Sequence, residues 1–291
     1  MSTIELIDTH VHLDDDRFDD DRDQVVARAN ASGVKSMIVP ATTRQRWPRL
    51  LSIAERYPGI YTACGLHPWF LHEHSESDLT ELAKQVDRHP YIAIGECGLD
   101  RFCLAQQLET CHEAGSSQTL KKEDLFVRQL FFFETQLDIA AKADLPVIVH
   151  ALQAVDDVIL SIKKRAATQG VVHSFNGSLQ QATRLIDLGY RLSFGGAVTQ
   201  PRATKIRRLV QSLPADSILI ETDAPDQTGY SHRGSNHGSN RERRNEPAFL
   251  SEILQTVADL RGASAESIAS LCNQNAENLF THIAITPKPC S

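Results

Sequence analysis

The stretch IDTHVHL at residues 7–13 sets Asp8, His10 and His12 at alternate positions, after an apolar run containing Ile4, Leu6 and Ile7. In a β-strand, alternate residues project from one face. Three polar groups at the end of a buried strand need either a hydrogen-bond network or a metal ion to satisfy them. Similar residues end other short apolar runs: His67 in GLHPW, Glu96 in IGECGLD, His150 in VIVHA, His173 in VVHSF and Asp223 in ETDAP. Imidazole nitrogens and carboxylate oxygens ligate Zn²⁺, Mn²⁺ and related divalent cations. Taken singly, each residue has a plainer role: a hydrogen-bonded core histidine, a turn-capping glutamate, an N-capping aspartate before Pro225. Their shared position at the ends of apolar runs favours one metal site instead. A single ion takes about four to six ligands, so this larger set suits two ions joined by a bridging water or carboxylate. His72, His74, His89, His112, His232, His237 and His282 fall in helices or loops and read as ordinary.

The elements that must position these groups follow from periodicity. Eight β-rich runs occur, at 4–10, 35–41, 60–67, 91–99, 146–151, 170–175, 190–196 and 217–224. They are more continuously apolar than alternating, as expected of strands buried on both faces of a parallel sheet. Helical patterns lie at 23–33, 49–59, 125–146, 153–168, 178–188 and 201–212, and two more follow the last strand. The first of these two begins near Pro247, since proline suits a first helical turn. Eight alternating units in 291 residues predict a (β/α)₈ TIM barrel in one domain. A doubly wound sheet is the structural alternative, but neither a G-x-G-x-x-G nor a Walker motif is present. Residues 101–123 and 226–245 interrupt the rhythm and are expected to be long loops at the C-terminal mouth, where barrel active sites form.

Composition narrows the setting. A net charge of −7 argues against a general polyanion binder, so any nucleic-acid contact must be local. No apolar run approaches the length of a membrane span, and MSTIELIDTH lacks the basic region and cleavage site of a signal peptide. The six cysteines, at 64, 97, 103, 111, 272 and 290, form no C-x-x-C pair and read as reduced thiols in a cytoplasmic protein.

The stretches DTHVHLD, GLHPW, IGECGLD, RQLFFFETQLDIAAKADLPVIVHA, VVHSFNGS, GYRLSFGGAVT, LIETDAP, NEPAFL and NQNAENLF occur in order over most of the chain. Together they resemble the TatD-like metal-dependent hydrolases, TIM barrels of the wider amidohydrolase superfamily. The resemblance implies that His10, His12, Glu96, His150, His173 and Asp223 bind divalent ions and that His67 lies on the substrate side. It also implies metal-dependent deoxyribonuclease chemistry, often 3′-to-5′ exonucleolytic, on DNA or another phosphodiester. Two departures concern substrate choice: the insert at 101–123, and the loop after ETDAPD with Arg233, Arg241, Arg243 and Arg244.

A divalent ion lowers the pKa of bound water from 15.7 to about 7. The expected arrangement has Glu96 bridging two ions of Zn²⁺, Mn²⁺ or Mg²⁺ and activating a hydroxide. One ion is held by His10, His12 and Asp223 and the other by His150 and His173. Asp223 accepts the proton of the attacking water, and His67 contacts the phosphate or protonates the leaving oxygen. Asp8 is expected to orient His10, and Glu221 to act in the same way nearby. Plain salt bridges are the alternative for both. The arginines of 233–244 either steer a phosphate backbone or form a solvated loop. Two rival functions are hydrolysis of esters, lactones, amides or aminoacyl-tRNA, and a non-catalytic metal-bound scaffold. No membrane association and no obligate protein partner are expected.

Overall fold

The computed structural model describes residues 4–113, 121–165, 169–232, 244–281 and 283. Eight strands form one parallel sheet in sequential order: β1 (Leu6–Asp8), β2 (Val34–Pro40), β3 (Ile60–Cys64), β4 (Ala93–Asp100), β5 (Val147–Leu152), β6 (Gly170–Val172), β7 (Tyr190–Phe194) and β8 (Ile218–Ile220). Parallel neighbours need crossover connections, and helices supply them. These are α1 (Arg22–Ala31), α2 (Trp47–Arg56), α3 (Glu76–Arg88), α4 (Leu104–Glu113), α5 (Lys122–Ala143), α6 (Val155–Lys164), α7 (Leu179–Asp187) and α8 (Thr204–Ser212), followed by α9 (Leu250–Arg261) and α10 (Ala265–Leu279). Among the described residues, no helix is long and apolar enough to cross a membrane.

The sheet curls into a TIM barrel, and its two ends meet just beyond β1 and β8. Thr9 N–H donates to the Ile220 carbonyl, Asp223 N–H to that of His10, and His12 N–H to that of Ala224. Strand alternation then sorts the apolar residues into two layers. Ile7, Ile38, Ala63, Ile148, Val171 and Leu219 form the inner cluster, which Leu279 and Phe280 at the end of α10 join. Met37, Val39, Val147, Val149, Val172, Ile218 and Ile220 point the other way, into the larger core shared with the helices. With the lower half of the barrel filled, polar side chains collect at the C-terminal end.

All eight predicted strands are present, mostly shorter than their apolar runs. β1 stops at Asp8, so His10 and His12 lie beyond it and not on a continuing strand face. Two helices differ from expectation. No helix is predicted over Glu76–Arg88 from sequence, yet α3 forms there, started by a capping box between Ser75 and Asp78. The expected 101–123 loop also contains a helix, α4, so this insert is in part regular structure.

The long α5 braces two strand ends. Gln136 Oε1 accepts the Leu66 N–H at 2.8 Å and its amide donates to the Leu66 carbonyl at 3.1 Å. Two helical turns earlier, Gln129 brackets Asp100 in the same way, at 2.9 and 3.0 Å. Both glutamines are buried. Replacing one with leucine strands a buried N–H and a buried carbonyl, each costing about 1–3 kcal/mol. Gln136→Leu is therefore expected to lower stability by roughly 2–4 kcal/mol in urea unfolding, more than an exposed α5 substitution such as Val127→Ala.

Candidate active site

Glu96 is the centre of the site. The β4 ladder changes register between Ile94 and Cys97, an irregularity of the kind that re-aims a side chain. Close by, Gly98 has φ +146°, and a Cβ there would lie 2.0 Å from the His150 carbonyl oxygen. Only glycine lets β4 and β5 approach this closely. Glu96 is 1% exposed.

Each carboxylate oxygen of Glu96 faces its own set of donor atoms. Oε2 lies 3.2 Å from His10 Nε2 and 3.4 Å from His12 Nε2, and Asp223 Oδ1 stands 3.6 Å from both nitrogens. Oε1 lies 2.7 Å from His173 Nε2, 3.1 Å from His150 Nδ1 and 3.0 Å from His67 Nε2. The structure thus brings together every site residue expected from sequence. Buried Oε2 accepts no hydrogen bond despite two imidazole nitrogens beside it. Ligands about 2.0–2.1 Å from one tetrahedral ion stand about 3.3 Å from each other, matching these separations. The arrangement fits ligation of divalent metal, with Glu96 between the two donor sets.

His67 differs from the other imidazoles. Its Nδ1 accepts the Trp69 N–H at 3.0 Å, so a neutral ring carries its proton on Nε2 and donates to Glu96. Burial pushes its pKa down to about 4, against the pull of Glu96. This neutral donor suits contact with an anionic substrate better than ligation.

The cluster is strongly polarised. Burial works against charge on His12, but Glu96, Asp223 and Asp14 outweigh it and bring His12 up to about 9. Burial likewise opposes charge on His173 and His150, yet Glu96 raises the first well above the usual range and Asp100 and Glu96 raise the second. Burial favours a neutral Glu96, but His173, His67 and His10 hold it well below the usual carboxylate range. Asp223 shifts upward because burial prevails over the pull of His10, His173 and His12.

An outer ring of polar groups fixes these side chains. Fully buried Asp100 accepts His150 Nε2 at 3.0 Å, leaving Nδ1 aimed at the centre. The sequence reading did not assign Asp100 a role, although its place four residues after Glu96 in IGECGLD was visible. Glu221 accepts the Ser174 N–H at 2.7 Å and stands 3.6 Å from His173 Nδ1, in keeping with the expected orienting role. Gln227 donates to Asp223 Oδ2 and to Ser174 Oγ, both at 2.6 Å. Ser174, Asp223 and Gln227 all have left-handed φ, a conformation that non-glycine residues hold only where the surroundings impose it.

Three expectations change. Asp8 does not reach the His10 ring; it accepts the His10 N–H at 3.3 Å and the Thr222 N–H and hydroxyl at 2.9 and 2.5 Å, pinning the barrel's closing seam. Burial brings Asp8 up to about 7 in spite of those bonds. Arg244 neither steers phosphate nor sits in a solvated loop: it is 8% exposed and paired with Asp21 and Glu246. The other three arginines of that loop lie outside the described residues. His74, read as ordinary, is buried and its Nε2 bonds the His67 carbonyl at 2.9 Å, holding the turn that carries His67.

The site opens into a cleft of about 580 Å³ lined by His12, His67, Glu96, His150, His173 and Asp223 at its base and by Arg17, Arg46, Trp69, Phe70, Asn176 and Ile206 higher up. Both arginines are engaged, Arg17 with Asp15 and Asp226, and Arg46 with Asp16.

The sequence matches the family model described as TatD related DNase over residues 7–281. The chain belongs to this TatD family. It is 36% identical over 278 residues to an Escherichia coli protein named uncharacterized metal-dependent hydrolase YjjV, covering 94% of this chain and 97% of the relative. It is 32% identical over 281 residues to the Salmonella typhimurium 3′-5′ ssDNA/RNA exonuclease TatD, covering 94% and 98%. The crystal structure of the E. coli YjjV protein, a TatD homologue, superposes with a TM-score of 0.82 at 35% identity, covering 96% of this chain and 99% of that one. This chain is thus a TatD-family TIM barrel whose His, Glu and Asp clusters are suited to divalent metal.

Two measurements check the electrostatics. His12 is raised from 6.5 to about 9, so its stabilising protonation in metal-free protein is complete below pH 6.5 and lost towards pH 9. Chelated protein is therefore expected to melt at progressively lower temperature from pH 6.5 to 9. Metal affinity, which requires neutral imidazoles, is expected to rise over the same interval. Separately, Asp100→Asn is expected to weaken metal binding about 10- to 100-fold by titration calorimetry while leaving the far-UV spectrum unchanged.

Proposed function

We propose that this chain is a divalent-metal-dependent phosphodiesterase, acting as one TIM-barrel domain, that removes nucleotides from the 3′ end of single-stranded DNA or RNA. The observation that carries this reading is the buried Glu96 carboxylate with each oxygen facing a separate set of metal-type donors. The named activity of the Salmonella relative supports it. In this reading His10, His12 and Asp223 would hold one ion and His150 and His173 the other, with Glu96 contributing to each set. The imidazoles suit Zn²⁺, and the carboxylates admit Mn²⁺ or Mg²⁺. When bound, the ions supply a water nucleophile that ionises near neutral pH and positive charge for the phosphate oxygens.

The protein groups do the rest. Asp223 turns Oδ1 towards His10 and His12 while Gln227 occupies Oδ2, which fixes the carboxylate beside the attacking water and makes it the natural acceptor for that water's proton. His67 offers Nε2–H to a non-bridging phosphate oxygen that displaces it from Glu96. Asp100 and Glu221 keep His150 and His173 aimed inward as charge builds at the phosphorus. The buried free thiols Cys64, Cys97, Cys103 and Cys272 are in keeping with a reducing, cytoplasmic setting.

Purified protein supplied with Mn²⁺ is expected to shorten a 5′-labelled single-stranded oligonucleotide one nucleotide at a time. Chelation is expected to abolish this, and added Mn²⁺ to restore it. Asp223→Asn should lower kcat about 10²- to 10⁴-fold with the metal still bound. Turnover of small esters or lactones without nucleotide release, or nuclease activity that survives chelation, would overturn the reading.

A further inference from the structure

One wall of the cleft is aromatic. Trp69 and Phe70 follow His67 directly and belong to the 3-10 segment Pro68–Glu73 after β3. Both line the cleft, and both are only partly buried. The Phe70 ring stands 6.0 Å from the His67 ring, which is itself 4.5 Å from His150. The wall therefore begins one ring's width from the proposed reaction centre. Trp47, the other tryptophan, is buried and donates to the Gly65 carbonyl, so Trp69 is the indole presented to the cleft. Across the mouth, Ile206 of α8 follows β7, four strands from β3 and so on the opposite side of an eight-stranded barrel.

The aromatic turn is anchored from behind by the insert that sets this chain apart in sequence. Gln107 of α4 is 4% exposed, and its amide donates to the carbonyls of Pro68 at 2.6 Å and Trp69 at 3.0 Å. Gln107 Oε1 lies 3.4 Å from the Gln129 amide, which links the turn to α5. In front, the Trp69 N–H is committed to His67 Nδ1. A rigid aromatic surface beside a phosphate-directed centre is the device by which single-stranded nucleic acids are held without base preference. Among the described residues the cleft's own arginines, Arg17 and Arg46, are already paired with carboxylates and the chain is acidic overall, so these residues offer little phosphate affinity.

We propose that Trp69 and Phe70 form a base-stacking subsite that grips the nucleobase adjoining the scissile phosphate, with Gln107 of the α4 insert as its positioning residue. This rests on the nuclease reading above and deepens it. The subsite binds any base, because each presents a π-face, and it excludes a paired base, whose faces are covered by its neighbours in the duplex. Stacking, in place of a cationic groove, supplies the affinity for the strand.

The test compares single-stranded oligonucleotides that carry either adenine or an abasic residue at the 3′-terminal nucleotide and its neighbour. Wild-type protein with Mn²⁺ is expected to favour the adenine substrate in kcat/KM by about 10- to 100-fold. Trp69→Ala with Phe70→Ala should flatten that ratio towards one, Trp69→Phe should keep most of it, and Gln107→Ala should reduce it. A wild-type ratio near one, with normal cleavage, would refute the subsite and leave the nuclease reading intact. A parallel binding measurement covers failure of the nuclease reading itself. Adenine-containing oligonucleotide should quench indole fluorescence of the metal-free protein, the abasic strand should not, and Trp69→Phe should abolish the effect. Absence of quenching by the adenine strand would equally overturn the proposal, whether or not any oligonucleotide is cleaved.

Discussion

A carboxylate shut away from water must be compensated, and at Glu96 the surroundings do so with imidazoles on both oxygens. Four of the five nearby rings come from separate parts of the chain: the segment after β1, the segment after β3, β5 and the segment after β6. None of these contacts is local in sequence. They exist because the sheet closes, and the seam where it closes runs between His10, His12 and Asp223. Anything that moves that seam moves half of the donor set. Asp8 therefore matters more as a clamp on Thr222 and on the His10 backbone than as a partner for an imidazole.

Rigidity at the centre is built from the outside inward. Asp100 fixes His150, Gln129 fixes Asp100, and Gln129 also reaches Gln107, which holds the turn bearing Trp69. Gln136, on the same helix, fixes the residue before His67. The helix that looks in sequence like a plain crossover thus carries a row of buried amides that sets the height of two strand ends. Buried polar groups of this kind stabilise only when each is satisfied, and these glutamines are.

The mouth has a different character from the base. Among the described residues, Arg17 and Arg46 of the mouth are spent on neighbouring aspartates, in ion pairs that are partly exposed and individually weak. The face presented to substrate combines neutralised charge, an aromatic turn and a highly polar floor. Such a surface suits a strand that enters by one end and is held through a few nucleotides, in contrast with a long duplex bound along its phosphates.

Barrel and donor set could be read from the amino-acid sequence because both leave local marks. Six of the eight short apolar runs ended in a residue with metal-type chemistry, and that repetition persists whatever the exact strand limits. What stayed hidden was of two kinds. Helix α3 sets Leu79, Leu82 and Val86 at helical spacing, but this narrow stripe is crowded by charged residues, and α4 lies in an insert that looked like loop. The roles of Asp100, Gln107, Gln129, Gln136 and His74 were invisible for a different reason. Each depends on a partner 22 or more residues away, or on a turn whose shape only packing determines. Arg244 shows the same limit from the other side, since nothing in a run of arginines says that one of them will be buried against Asp21. Residue types and their periodic spacing determine which groups can do chemistry and what scaffold carries them. Which atom of each group faces the centre, and what holds it there, is decided by closure of the barrel and by side chains meeting across it.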